Sequence, residues 1–481
     1  MTPDSLAPDR FLTFPWVGSV IDRRHDRPVG GGWAWGGVKD VGGYLSEQIL
    51  STSHFRIYRS LGGDSSSPAT RRFAARVTAY LMLRAVGTLT PATNPSNAMG
   101  WVNALLSADA GDWTTAGLAG GAYGKVIRWA FEKQGLYQPP GAPTPVKREG
   151  RPPAQDVYID DGRSGEYQFQ PVHWNNQSVW NRRFADGGTA HEDPWLNRPN
   201  FAYVRVRNRG FEVATDVVVR AFHTDPGAGL TWPDDWLAMT TAQLAAPDVP
   251  PGGEVIVGPF SWTPTTPDHE CLLMVASSAG DPSNVDALSP GESIAEWRLV
   301  PHDNNIGQRN VHPVPAAGGA AVIVEALNGR SLTVRNPFDE RAKVVVDITV
   351  PKVLASRGWT IDVASRGGTA FSLAPGAAKR VTLSATRGDE VTASDVAGEA
   401  DRDVVVQASG NGILLGGMTY RLDPSRAEAP RPDDGTGVVD GAADGWRDAA
   451  QKLLQSLRLP ADRAVGVRLR KVGLDIEIDE R

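Results

Sequence analysis

The side chains in this sequence that could perform acid, base or metal chemistry are few and scattered. Eight histidines occur, and none has the His-x-x-x-His spacing that sets two imidazoles on one helical face for zinc. His191-Glu192-Asp193-Pro194 offers the beginning of such a motif, but the proline interrupts any helix and no second histidine follows. A serine–histidine–aspartate set can be drawn from Ser46, Ser51, Ser53, His54 and Asp40. With no Gly-x-Ser-x-Gly elbow and no oxyanion-hole motif beside them, chance proximity is the better reading. In the stretch YIDDGRSGEY, Asp160, Asp161 and Glu166 present carboxylate oxygens suited to calcium. The regular Asp-x-Asp-x-Asp-Gly spacing is missing, and a turn after a strand accounts for the same residues.

Four further groups invite a functional and a plainer reading. Arg23, Arg24, His25 and Arg27 could hold an anion or a substrate carboxylate, or form a solvated turn with a few ion pairs. His302-Asp303-Asn304-Asn305 and His312 could meet at a metal if the chain folds back; capping a turn is simpler. Trp174, Trp180 and Trp195 have the composition of a sugar-stacking set, whereas burial is the usual fate of tryptophan. Cys271 stands alone, which excludes an internal disulfide framework and a cysteine-based zinc site. Its setting, ECLLMVAS, is that of a buried strand. No glycine-rich phosphate loop or basic stripe is present, and the net charge of −6 gives no reason to expect nucleic acid or an anionic membrane. No apolar run is long enough to span a membrane.

The 481 residues call for several domains. The expected fold class is α plus all-β: a mainly helical lobe (1–138), a proline-rich linker (139–155), two antiparallel β-sandwiches (156–314 and 315–425), a second linker (426–443) and a helix–strand tail (444–481). In the lobe, helical spacing runs from Ser46 to Leu61, with Gly62-Gly63 as a stop. Ser67-Pro68 and Asn94-Pro95 each have the form of an N-cap followed by proline. A fourth helix runs from about Ala122 to Gln134 and stops at Gly135. The β regions alternate apolar and polar residues between Gly, Pro and Asn turns, as immunoglobulin-like sandwiches do. AAVIVEAL (320–327) reads as the first strand of the second sandwich. In the tail, Trp446–Leu457 reads as a helix, and Val465 to Ile478 as a strand with a shift near Gly473.

The stretch DVGGYL (40–45), then LTPATN (89–94), then Ala130-Phe131 and Gly135 resembles, in order and spacing, the C-terminal helical half of thermolysin- and fungalysin-like zinc metallopeptidases. The resemblance covers residues 38 to 137, with sandwiches of immunoglobulin-like or CARDB-like type following. It implies a remnant substrate cleft at Asp40, Tyr44 and Ser46. The family's oxyanion-stabilising histidine is replaced by Leu45, which has no proton to donate. No His-Glu-x-x-His motif is present, so no zinc is expected in this chain unless an upstream segment supplies the ligands; calcium at Asp160, Asp161 and Glu166 is the other cofactor considered. The expectation is a truncated or degenerate peptidase lobe with binding modules, non-catalytic and serving a structural or interaction role with a protein or peptide partner. The alternative is the C-terminal part of an active zinc endopeptidase whose ligands lie on an upstream segment or chain. Relatives of this kind are exported, yet MTPDSLAPDRFLTFPW has neither the basic nor the apolar region of a secretory signal.

Overall fold

A computed structural model describes residues 6–12, 23–138, 144–265, 271–364 and 368–427, and the backbone of 465–469 and 476–480. Met1–Ala429 forms one compact unit and Pro430–Arg481 a second. The architecture is α+β: a helical region, then several antiparallel and mixed sheets.

Four helices carry the N-terminal region: α1 (Gly43–Tyr58), α2 (Pro68–Gly87), α3 (Ala98–Ala110) and α4 (Gly124–Glu132). Local chemistry sets their ends. Ser67 caps α2, its hydroxyl accepting from the Thr70 N–H, with Pro68 following where no N–H is needed. The start expected at Asn94-Pro95 lies three residues further on: Asn97 caps α3 by accepting from the Gly100 N–H at 2.9 Å. Residues 90–93 instead close a turn, the Thr93 hydroxyl accepting from the Thr90 N–H at 2.8 Å. Gly135 takes the left-handed conformation (φ 70°) just beyond α4.

The first β region packs two sheets face to face. In one, Asn200–Asn208 pairs antiparallel with Glu254–Trp262, Val179–Arg182 and Val157–Tyr158. In the other the order is Ile306–Arg309, Cys271–Ser277, Val218–Thr224, Leu237–Ala245. Cys271–Ser277 explains its own unbroken apolar run. Leu272, Met274 and Ala276 face the partner sheet, while Cys271, Leu273 and Val275 join the core of the helical region. A strand buried on both faces needs apolar residues at every position.

The second β region is mixed rather than purely antiparallel. Val311–Pro315 runs parallel to Ile413–Asp423, and Gly227–Ala228, from the first region, pairs parallel with Ser331–Arg335. The two β regions therefore share strands, with Asn310 alone separating Ile306–Arg309 from Val311–Pro315.

AAVIVEAL does not form a strand. After the short helix α5 (Glu296–Leu299), it forms helix α6 (Ala320–Leu327), burying Ala320, Ile323, Ala326 and Leu327 on one helical face. Its start is fixed from a distance: Gly319 turns the chain at φ 80° and the Glu390 carboxylate accepts the Ala320 N–H at 2.9 Å. A run apolar at almost every position fits either period, and this tertiary cap decides between them. In the second unit, Val465–Leu469 and Ile476–Glu480 form an antiparallel hairpin, not one shifted strand. The expected tail helix Trp446–Leu457, the shift at Gly473 and residues 428–443 of the second linker lie outside the described residues.

The helical region is clamped by the later strands. Besides capping α2, the Ser67 hydroxyl donates to the Gly412 carbonyl at 2.5 Å, at the tip of the hairpin between Asp403–Gly410 and Ile413–Asp423. Ser67→Ala removes cap and clamp together and should lower unfolding stability by about 1–2 kcal/mol, with Ser67→Thr retaining most of it. Urea denaturation measures this, and an unchanged midpoint for Ser67→Ala would show that the joint does not depend on the hydroxyl.

Candidate functional site

The residues singled out at the start of α1 form a helix lock. The Ser46 hydroxyl donates to Asp40 Oδ1 at 2.5 Å and accepts the Gly42 N–H at 2.7 Å, while Asp40 Oδ2 accepts the Gly36 N–H at 2.7 Å. Tyr44 is 64% exposed and stacks under the Arg23 guanidinium, 3.3 Å from its ring centre. His54 lies apart from this lock. It accepts the Trp101 indole N–H at 2.9 Å, packs edge-on to Phe131, and burial lowers its pKa to about 4. The Ser51 and Ser53 hydroxyls donate to carbonyls of their own helix. Asp40 and Ser46 are therefore engaged with each other, and His54 apart from both.

The acidic turn does not converge either. Asp160 Oδ1 accepts the Gly162 and Ser164 N–H groups and its Oδ2 pairs with Arg207 at 2.8 Å. Asp161 pairs with Arg163 at 2.7 Å, and Glu166 with Lys133 at 2.7 Å. Each carboxylate faces a cation instead of a shared centre. Among the described residues, no group of three His, Cys, Asp or Glu side chains could hold a metal ion.

The remaining groups have structural partners. Asp26 binds Arg24, and Arg27 donates to Gln48 on α1 while lying over Trp33. His302 Nδ1 bonds the Arg298 carbonyl, whereas His312 lies 3.3 Å from Asp193, which also takes Arg426 at 3.0 Å. Trp174 and Trp180 are buried, and Trp195 packs between Arg183, Arg198 and Phe184.

What the sequence did not reveal is a charged joint between α4 and the first β region. Lys125 and Glu132 lie two turns apart on α4, hence on one face, and both are buried against the sheets. The Lys125 ammonium donates to Asp281 Oδ1 at 2.6 Å and to the Asn305 side chain, with Asp303 at 3.6 Å. Asp281 Oδ2 accepts the Val157 N–H at 2.8 Å. Asp303, fully buried, accepts from the Ser283 hydroxyl at 2.6 Å and the Asn284 N–H at 2.7 Å. Glu132 and Asp156 share Arg209, at 2.7 and 2.6 Å. Burial opposes the Lys125 charge, but Asp281, Asp303 and Asp156 outweigh it and hold its pKa above the usual lysine value. At Asp281 burial, helped by the nearby Asp156 and Asp303 charges, prevails over the pull of Lys125 and raises the pKa.

Asp109, near the end of α3, plays a related part. Its Oδ2 accepts the Tyr123 N–H at 3.0 Å, giving α4 the N-terminal acceptor that Tyr123 lacks. Burial lifts its pKa to about 6, against the pull of the Tyr123 N–H and Arg298. A cavity of 20 Å³ beside it, lined in part by Tyr80, Trp113 and Arg298, has room for one water molecule.

At the solvent edge of the joint lies an open groove of 720 Å³, formed by α4, residues 149–152 and the turn 162–168. The proline-rich segment forms its rim, strapped back onto the helical region by the Gly150 N–H to the Glu132 carbonyl (2.7 Å) and the Lys147 N–H to the Trp35 carbonyl (3.3 Å). Glu166, considered above as a calcium ligand, lines this groove.

Fold and site together define a multidomain α+β protein in which a helical region is joined to β-sandwiches. No family model and no curated protein matches the chain. Among solved structures, part of it is similar to a CARDB domain from Pyrococcus furiosus determined with di-metal ions (14% identity, 27% of this chain, 86% of that one, TM-score 0.16). It is also similar to Escherichia coli α2-macroglobulin activated by porcine elastase (11%, 52% and 22%, TM-score 0.15) and to red sea bream transglutaminase (11%, 55% and 34%, TM-score 0.15). The chain thus spans about a fifth of that α2-macroglobulin's length. At these scores the likenesses assign neither family nor activity.

One substitution tests the joint and a second tests the buried carboxylate at the start of α4. Lys125→Met leaves the buried carboxylates without their ammonium and should cost about 3–5 kcal/mol near neutral pH. Protonation relieves those carboxylates, so the deficit should be smaller at acidic than at alkaline pH in denaturant titrations; a deficit independent of pH would contradict the assignment. Asp109 has a folded pKa above its unfolded one, so its contribution to stability is present below pH 4 and lost as pH rises through about 6. Asp109→Asn, which keeps an acceptor for Tyr123, should gain on the native chain by about 2–3 kcal/mol across that window. Thermal melts through the window check the sign.

Proposed function

We propose that this chain is a non-catalytic interaction protein: a degenerate peptidase-like helical region joined to β-sandwich binding modules, acting as a scaffold for a protein or peptide partner. The relation to thermolysin-like peptidases rests on the order of motifs in the sequence alone. The observation that carries the non-catalytic reading is the engagement of Asp40 and Ser46 in the lock that opens α1. A carboxylate and hydroxyl tied to each other and to backbone N–H groups are spent on positioning a helix, not on polarising a bound peptide. The acids and bases between α4 and the sheets serve a joint in the same manner.

A partner-binding role is supported by the open groove at the edge of that joint, since concave sites at the junction of structural layers are where ligands bind. Purified protein should contain no stoichiometric zinc by metal analysis and should leave casein intact with and without chelator. Chelator-sensitive cleavage would overturn the proposal in favour of a zinc endopeptidase completed by ligands on another segment or chain.

A further inference from the structure

We propose that the groove between α4, the 149–152 strap and the 162–168 turn binds an acidic peptide segment, with Lys133 as the carboxylate anchor and Glu149 as a built-in competitor for it. The proposal deepens the interaction reading above and depends on it.

The donors lining the groove are unequal. Arg209 is committed to Glu132 and Asp156, and is only 16% exposed. The Arg163 guanidinium is committed to Asp161 and to the carbonyls of Gln168 and Pro301. Both hold the walls in place. Lys133 differs: its ammonium meets Glu166 Oε1 and Glu149 Oε2, each at 2.7 Å. An ammonium has three protons, so one remains for a further acceptor. Its two carboxylates also differ. Glu166 is 24% exposed and is held by Gln168 at 2.6 Å as well, whereas Glu149 is 52% exposed and has Lys133 as its ionic partner. An ion pair with so exposed a carboxylate is weak, so exchanging Glu149 for an incoming carboxylate is close to neutral in energy.

Local charge then favours the incoming group. The strap reads Lys147-Arg148-Glu149-Gly150-Arg151, and its three cations are exposed. Once Glu149 is displaced, Lys133 meets the acidic ligand within the groove and these cations add positive charge on the strap beside it, although the chain as a whole carries net negative charge. Glu149 in the closed state imitates the ligand. It holds the strap on the groove until a segment bearing several carboxylates outcompetes it.

The test is fluorescence anisotropy on the full chain with a labelled, amidated oligoglutamate peptide. Amidated oligoglutamine serves as the neutral control, and oligoglutamine with a free C-terminus separates a terminal carboxylate from side-chain ones. Oligoglutamate should bind, more weakly as salt rises, and neither oligoglutamine should. Glu149→Gln, an exposed change that leaves the fold intact, should tighten binding by about threefold or more. Lys133→Gln should abolish binding and Lys133→Arg restore it, with circular dichroism confirming that both fold. Failure of oligoglutamate to bind either the native chain or Glu149→Gln overturns the proposal, as does Glu149→Gln binding no tighter or the free-terminus oligoglutamine binding equally well. Each of these failures leaves the casein result untouched, so the groove assignment and the non-catalytic reading fail separately.

Discussion

The buried ammonium of Lys125 is the contact on which the rest of this molecule turns. Placing a lysine among Asp281, Asp303 and Asn305 removes several ionic groups from water, which is unfavourable unless every partner is in position. The chain meets that condition with groups from distant segments: the Val157 N–H, the Ser283 hydroxyl, the Asn284 N–H and the Asn305 amide all address the same two aspartates. An apolar seam between a helix and a sheet tolerates sliding. Directional bonds to one ammonium do not, so α4 has one register against the strands it covers.

That register propagates through shared elements. Cys271–Ser277 is a wall of two cores at once, the helical one and that of the first sandwich. The chain leaves Ile306–Arg309 and enters Val311–Pro315 through one residue, Asn310, whose amide donates to the Gly417 carbonyl in the second sandwich. Trp297 carries the connection further, packing edge-on to Phe73 of α2 while belonging to the core of the second sandwich. A displacement of α4 would therefore be felt by three cores, because packed interiors transmit strain instead of absorbing it.

How much of this could be read in advance follows from the range of each interaction. The helices of the N-terminal region were legible because their signals are local: Ser67 and Pro68 at one end, Gly135 at another, apolar spacing between. The strands were legible by alternation, and the acidic turn at Asp160 as a turn. AAVIVEAL is ambiguous on its own because its sequence satisfies both periods and the deciding contact, Glu390, lies 70 residues away. The joint was illegible for the same reason in stronger form, since Lys125 and Asp281 are 156 residues apart. A faint signal did exist: two opposite charges two turns apart on the buried face of α4, where an isolated helix would place apolar residues.

The distribution of charge also separates structure from surface. Within the joint, the carboxylates are buried and each is tied by more than one donor, so none can leave without stranding a partner. At the solvent edge the pairs thin out, until Glu149 is held by one ammonium and faces water on its other side. Exchange is cheap there and prohibitive a few ångströms inward. A protein that fixes its architecture with interior ion pairs has its adaptable chemistry where such a network reaches solvent. In this chain the network reaches solvent at the strap and groove along α4, whereas Asp40 and Ser46 serve the start of α1.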